Sequence, residues 1–326
     1  MLWTRRKAIA GGSGALVWLA GGPACADAYP SQTIKLIVPY PAGGTTDLLG
    51  RMISDQLQTG LGGSVIVENR PGAGTSIGAE QVARAAPDGY TLLLATSTTL
   101  AINKTLYRHL PYDPVKDFTP IALVAGVPFA LIVNPEIPAK TLSEFIAYAK
   151  SKPGLTYGSA GNGSPQHLGA EMLKTAAGIE VSHVAYRGSV QAMLDVIAGH
   201  IAFMVVDLQP ALPQIKDGKV RVLGVTTTAR VDAAPEIPTL AEQGLKGFEL
   251  VAWQGVVGPA GLPRPIVDRL AAQIAKLVSS PGTRDKFKLI ALQSLPDSTP
   301  DSFAVYVKTE VDRWATIVKA SGAELE

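Results

Sequence analysis

"IVPYPAGGTTDLLGRMI" spans Ile37 to Ile53. An apolar run, Thr33–Val38, stops at a proline and a pair of glycines. Leu48, Leu49, Met52, Ile53 and Leu57 then recur at helical spacing within Thr45–Thr59. A strand that feeds a helix through a short turn is the repeating unit of an α/β fold, so this stretch decides the fold class. Gly43 and Gly44 permit backbone angles that a side chain would forbid. Thr45 or Thr46 caps the helix, and its first free N–H groups, at the positive end of the helix dipole, point above the strand. Two readings follow from the residues alone. One is an anion grip, for which a carboxylate is well suited; the other is an ordinary capped turn. Asp47 is open in the same way, as a first-turn dipole partner or as a ligand contact.

The alternation continues in both directions. Val65–Val67 and Tyr90–Thr96 read as strands, Ser76–Ala85 and Leu100–Tyr107 as helices, and Pro111–Pro120 as a proline-rich loop. A second unit begins near Gly126. Its strands are Phe129–Val133, Leu155–Gly158, Val181–Tyr186, Ile201–Asp207 and Val220–Thr227. Between them run a helix capped by Thr141 and Glu144, one that starts at Ser164-Pro165, and one over Ser189–Ala198. The tail holds a strand, Trp253–Val257, and two helices, Ile266–Val278 and one from Thr299-Pro300 to near Ala320. These helices have no sheet of their own and must pack back on the first unit. Short crossovers imply parallel strands covered by helices. The expected fold is therefore α/β with two lobes, 27–125 plus 251–326 and 126–250, each a mainly parallel sheet flanked by helices. Ligands of such sheets sit beyond the C-terminal strand ends.

Three further features lie at strand ends. "TYGSAGNGSPQHLGAEML", Thr156 to Leu173, sets Ser159, Ala160, Gly161, Asn162, Gly163 and Ser164 just before a helix, more small and polar residues than a tight turn needs. It reads as a second binding loop, with His167 in the first helical turn as its organiser. Thr96-Ser97-Thr98-Thr99 offers hydroxyls at another strand end. Asp207 closes the strand "IAFMVV" and either meets a ligand or a bound water, or caps the next helix.

Composition narrows the class. The chain has 326 residues, 47% hydrophobic and 17% charged, as a folded globular protein requires. Arg5, Arg6 and Lys7, a weakly apolar Gly/Ala stretch and Ala24-Cys25-Ala26 have the form of a signal peptide over residues 1–26, exported by the general secretory or the twin-arginine route. Losing it takes the formal charge from +2 to −1 and removes Cys25, the only cysteine. The mature chain then has no disulfide and no thiolate chemistry. Periplasmic export fits this composition, and the small charge gives no reason to expect nucleic acid as a partner.

Catalytic motifs are missing. Gly158-Ser159-Ala160-Gly161 lacks the nucleophile-elbow spacing, and no lysine follows Gly43-Gly44 as a phosphate-binding loop demands. Gly72-Ala73-Gly74 opens no dinucleotide site, because no acidic residue ends the next strand; it reads as a loop lining the cleft. His109, His167, His183 and His200 have no metal-site spacing. No enzyme activity, cofactor or metal is expected.

"YPSQTIKLIVPYPAGGTTDLLGRMI", "VIVENRPGAGTSIGAEQVARAAPDGYTLLLA", "LYRHLPYDPVKDFTPIALVA", "YGSAGNGSPQHLGAEML" and "VAYRGSVQAMLDVIAGHIAFMVVD", in this order, resemble the Bug family, the periplasmic substrate-binding proteins of tripartite tricarboxylate transporters. The resemblance covers essentially the whole mature chain. It implies a periplasmic-binding-protein type II fold that closes on a small carboxylate: a di- or tricarboxylate, an acidic amino acid or an aromatic acid. It also implies monomeric delivery to membrane subunits of such a transporter; a membrane sensor kinase is the alternative partner. By resemblance the clamp is formed by backbone N–H groups and waters from two loops, Tyr40, Ala42, Gly43, Gly44, Thr45, Thr46 and Asp47 in one lobe and Ser159 to Ser164 in the other. Ser97 and Thr98 line the cleft, Asp207 faces the ligand, and His167 fits the second loop's pattern. Tyr40 stands where many members have phenylalanine. Arg187, the arginine nearest to such a cleft, reads as a surface residue. The effector lobes of transcription regulators share this fold type, but the export signal and the lack of an N-terminal DNA-binding helix pair argue against that role.

Overall fold

A single strand, Phe118–Val133, belongs to both sheets of the molecule. In this computed structural model, which describes residues 29–295 and 297–323, the expected leader over residues 1–26 lies outside the described residues. The strands in chain order are β1 Ile34–Val38, β2 Val65–Asn69, β3 Thr91–Thr96, β4 Phe118–Val133, β5 Thr156–Ser159, β6 Ser182–Ala185, β7 Phe203–Asp207, β8 Arg221–Val225, β9 Val251–Pro259 and β10 Gln293–Ser294. The α-helices are α1 Thr45–Leu61, α2 Ser76–Ala83, α3 Asn103–Leu106, α4 Leu142–Ser151, α5 Pro165–Ala177, α6 Ser189–Ile197, α7 Leu208–Lys216, α8 Arg264–Ser279, α9 Pro281–Leu289 and α10 Pro300–Ser321. A π-helical turn, Thr98–Ile102, leads into α3.

The first sheet runs β2-β1-β3-β9-β4, with β10 on the other side of β4. The second runs β8-β4-β7-β5-β6. Residues 118–128 of β4 pair with β9, and residues 129–133 pair with β7 and β8. The α/β class is as expected, but the sheets are mixed rather than mainly parallel. β1, β2 and β3 are parallel, as are β5, β6 and β7. β9 is antiparallel to both β3 and β4, and β4 is antiparallel to β7, β8 and β10.

Residues 111–120 read as loop in the sequence because proline cannot donate to a ladder. Pro120 nevertheless lies within β4, at a register shift between Pro120 and Ala122 that absorbs the missing donor. From Ile121 to Val133 every residue of β4 is buried, which is the pattern of a strand covered on both faces.

α1 holds its N-terminus over the end of β1 by close packing. A Cβ on Gly50 would come within 2.7 Å of Val38 Cγ2, so the bare glycine lets helix and strand approach. Leu49, Ile53, Leu57 and Leu61 form its buried stripe, and Gly62 ends it in the left-handed region at φ 72°. The tail packs on the first sheet as expected: α8 lies against α1 and β4. α10 also reaches α5, across the second sheet. α9 went unread because only Phe287 of its nine residues is buried.

Candidate ligand-binding site

The C-terminal end of β1 passes through Pro39–Gly44 into α1. Gly43 sits at φ 91°, and Gly44 is the N-cap residue. No side chain caps this helix end. Asp47 fixes the loop from behind. Its carboxylate accepts from Gly43 N at 3.0 Å, Asn69 Nδ2 at 3.1 Å, and Arg51 Nε and Nη2 at 3.0 and 3.1 Å. Burial by itself would raise the Asp47 pKa; the hydrogen bonds from Arg51, Gly43 and Asn69 outweigh it and hold the carboxyl below its ordinary value. Asn69 also donates to Tyr40 O at 3.0 Å, tying the loop to β2.

In front of the loop is an inner chamber of about 130 Å³ between the two sheets. The lobe of β1 contributes Tyr40, Ala42, Gly44, Thr45, Thr46, Thr96, Ser97, Thr98, Trp253 and Gln254 to its wall. The opposite lobe contributes Phe129, Ala160, Gln166, Gly188, Ser189, Val190, Gln191 and Asp207. No lysine, arginine or histidine lines it. Asp207 is the only ionisable carboxyl in the wall, so an anion here finds no cationic side chain, and the favourable dipoles come from two helix N-termini. α6 begins at Gly188-Ser189, again with no capping side chain, opposite the bare start of α1.

The two walls touch. The Thr45 hydroxyl donates to Asp207 Oδ2 at 2.9 Å, and Gln166 Nε2 donates to Asp207 Oδ1 at 2.6 Å. Asp207 precedes α7 but makes no capping bond, and it lines the chamber instead. Its burial raises its pKa against the opposing hydrogen bonds from Thr45 and Gln166. Gln254 Nε2 donates to Thr46 Oγ1 at 3.0 Å, and Tyr40 OH donates to Thr98 Oγ1 at 3.2 Å. Burial pushes the Tyr40 phenol up to about 12, which keeps it a neutral donor. Ser97 Oγ, Gln166 Oε1 and Gln254 Oε1 are buried with no hydrogen-bond partner. All three belong to residues lining the chamber, as polar groups that meet a ligand or water would, whereas a fourth such atom, Asn103 Oδ1, lies outside it.

The second expected loop is divided. Ala160 lines the inner chamber, whereas Gly161, Asn162 and Ser164 line a wider outer one. Ser159 and His167 brace the loop. His167 Nδ1 accepts from Gly163 N at 3.1 Å, Ser159 Oγ lies 2.6 Å from His183 Nε2, and the two imidazoles stack with centroids 4.0 Å apart. Gly43, Asp47, Ser159, Gly163 and His167 are thus not in the chamber wall. Gln166, Gln254, Trp253 and the start of α6 were not foreseen. Gly188-Ser189 carried a legible signal, the same glycine and hydroxyl order as Gly44-Thr45. Among the described residues no cluster of histidine, cysteine, aspartate or glutamate has the makings of a metal site. Nor is any described helix long and apolar enough to cross a membrane.

Residues 49–323 match the family model described as "Tripartite tricarboxylate transporter family receptor". Protein BugT of Bordetella pertussis is 34% identical over 306 residues, 93% of this chain and 94% of that protein. Rpa4515 of R. palustris, solved with adipate, is 34% identical with a TM-score of 0.88, and the match covers 91% of this chain and all of that one. MatC of Rhodopseudomonas palustris, solved with bound malate, is 32% identical with a TM-score of 0.84, over 89% of this chain and all of that one. Coverage and identity of this extent leave one assignment: the chain belongs to the Bug family of tripartite tricarboxylate transporter receptors, two-lobed periplasmic solute-binding proteins.

Proposed function

We propose that the protein captures a small carboxylate in the periplasm and delivers it to the membrane subunits of a tripartite tricarboxylate transporter. The lobes, 27–125 with 251–326 and 126–250, close on the ligand as a population shift that requires no chemistry. One carboxylate lies between the bare N-termini of α1 and α6. Ser97, Thr98, Gln166, Gln254 and Asp207 serve the ligand's other polar groups, directly or through water. Tyr40, Ala42, Gly43, Gly44 and Thr46 shape the first jaw, and residues 159–164 the second, with Asp47 and His167 holding those jaws in place. The leader over residues 1–26 exports the chain, which works as a monomer.

The observation that carries this reading is a chamber with two uncapped helix N-termini and no cationic side chain. Such a site favours an anion small enough to meet backbone N–H groups at close range. Adipate and malate in the two related structures are compatible with it. Titration calorimetry of the mature protein tests it, using dicarboxylates, tricarboxylates, acidic amino acids and aromatic acids. Heat with at least one of these is expected. No heat and no thermal shift with any of them would overturn the reading.

A further inference from the structure

The inner chamber is small for a diacid. A cavity of about 150 Å³ holds a benzene-sized molecule, and this chamber measures about 130 Å³. It accommodates one carboxylate and a short stem. Beyond it lies the outer chamber of about 410 Å³. Tyr40, Thr98 and Ala160 line both chambers, so the two adjoin at the Tyr40–Thr98 hydrogen bond.

The outer chamber differs in character. One wall is the loop Gly72–Thr75 of the β1 lobe, and the other is Gly161, Asn162 and Ser164 of the opposite lobe. Among the described residues Arg187 is the only cationic one that lines either chamber, and Asp207 of the inner chamber is the only acidic one. It is exposed, and no carboxylate among the described residues pairs with it. Its position follows from the chain: Tyr186 and Arg187 join β6 to the same α6 whose N-terminus faces the inner chamber. A carboxylate bound at Ser189 and a second one nearer the mouth therefore address neighbouring residues of one short segment. The facing wall is fixed. Ala73 at φ 44° and Thr75 at φ 77° hold left-handed backbone that non-glycine residues seldom adopt. Asn103 Nδ2 donates to Gly74 O at 2.8 Å, and Thr99 Oγ1 donates to Thr75 Oγ1 at 3.0 Å, locking that conformation.

We infer that the outer chamber is a second anion subsite, in which Arg187 receives the distal carboxylate of an elongated α,ω-dicarboxylate whose near carboxylate occupies the inner chamber. The ligand class is thereby narrowed to flexible diacids long enough to pass Tyr40. This rests on the proposed carboxylate function and adds the second point of recognition. Because Arg187 stands in solvent, the pair is screened and its contribution is modest, about twofold to fivefold in affinity.

The test compares adipate with hexanoate, matched in chain length, by calorimetry on the wild type, Arg187→Gln and Arg187→Lys. Melting curves check that the exposed substitutions leave the fold intact. In the wild type adipate binds more tightly than hexanoate. Arg187→Gln loses about twofold to fivefold for adipate and nothing for hexanoate, and Arg187→Lys keeps most of the adipate preference. Equal loss for both acids, or an adipate preference unchanged in Arg187→Gln, overturns the subsite while leaving the carboxylate function standing. Carboxylates that bind without adipate among them also overturn the subsite alone. If no carboxylate binds the wild type, both proposals fall.

Discussion

The Thr45 hydroxyl and the Asp207 carboxylate meet at 2.9 Å, although 162 residues separate them in the chain. The bond joins the first turn of α1 to the end of β7, one from each sheet, and it exists only while the walls of the cleft are together. Pro41 lies against Gly188 in the same way, near enough that a Cβ on Gly188 would be 3.4 Å from Pro41 Cγ. Thr45→Val removes the donor with little change of shape. A hydrogen bond to a charged acceptor contributes about 1.5–3 kcal/mol, so affinity for the bound carboxylate falls roughly tenfold to a hundredfold. Calorimetry on the variant measures this, and an unchanged Kd would show that the contact plays no part in closure.

Gly44 gives a test of the first jaw that is separate from folding. A Cβ there has no atom within 4 Å, and its φ of −92° suits any residue. Gly44→Leu therefore leaves the melting temperature nearly unchanged, while its side chain fills the chamber in front of the α1 N-terminus. Loss of binding by at least about a hundredfold is expected, more than the roughly 2.7 kcal/mol that such a factor represents. Gly163 is the opposite case. With φ 71° and Leu106 Cδ2 only 1.9 Å from an added Cβ, Gly163→Ala strains the second loop and holds the walls apart.

Much of the first jaw was legible in the sequence because it is local. A strand, two glycines and two threonines determine where the N–H groups point, and each step follows from neighbours in the chain. Gln254 was not legible. It lies in an apolar strand, 208 residues from the Thr46 it bonds, and antiparallel pairing of β9 with β3 brings it there. Gln166 has a similar history, since its significance depends on Asp207 at the end of β7. The start of α6 repeated the pattern of the first jaw but looked ordinary until the two sheets were set face to face. β4 was only half read, because Pro120 and Pro128 interrupt a pattern that a register shift and burial sustain.

The two histidines behind the second loop make its stability depend on pH. Burial, and then the neighbouring His167, lower the His183 pKa to about 4; burial likewise lowers that of His167. An unfolded histidine titrates near 6.5. The unfolded chain thus binds more protons between these values, and stability, complete above about pH 6.5, declines as the pH falls toward about 4. Melting temperatures measured across this interval are expected to drop, and less so in His183→Asn. An identical slope in the variant would remove these imidazoles from the account.

Behind Trp253, a residue of the chamber wall, lies a buried carboxylate. Glu310 Oε2 accepts from Trp253 Nε1 at 2.8 Å and from Trp314 Nε1 at 2.9 Å, fixing α10 to β9. Glu310→Ala leaves two buried indole N–H groups without an acceptor, at about 1–3 kcal/mol each. Denaturant unfolding is expected to show a loss of roughly 2–5 kcal/mol, with a smaller loss for Glu310→Gln, which keeps one acceptor. A loss below about 1 kcal/mol would mean that water replaces the carboxylate readily.

On the proposed reading, helix N-termini, and not cationic side chains, hold the carboxylate within the inner chamber. A crystal structure of the mature protein with its tightest-binding carboxylate tests this most directly. The expected result is one carboxylate with oxygens about 2.7–3.2 Å from backbone N–H groups of residues 44–46 and 189–191, directly or through one ordered water each. A ligand outside the cleft, or one with neither carboxylate at these N–H groups, would contradict it.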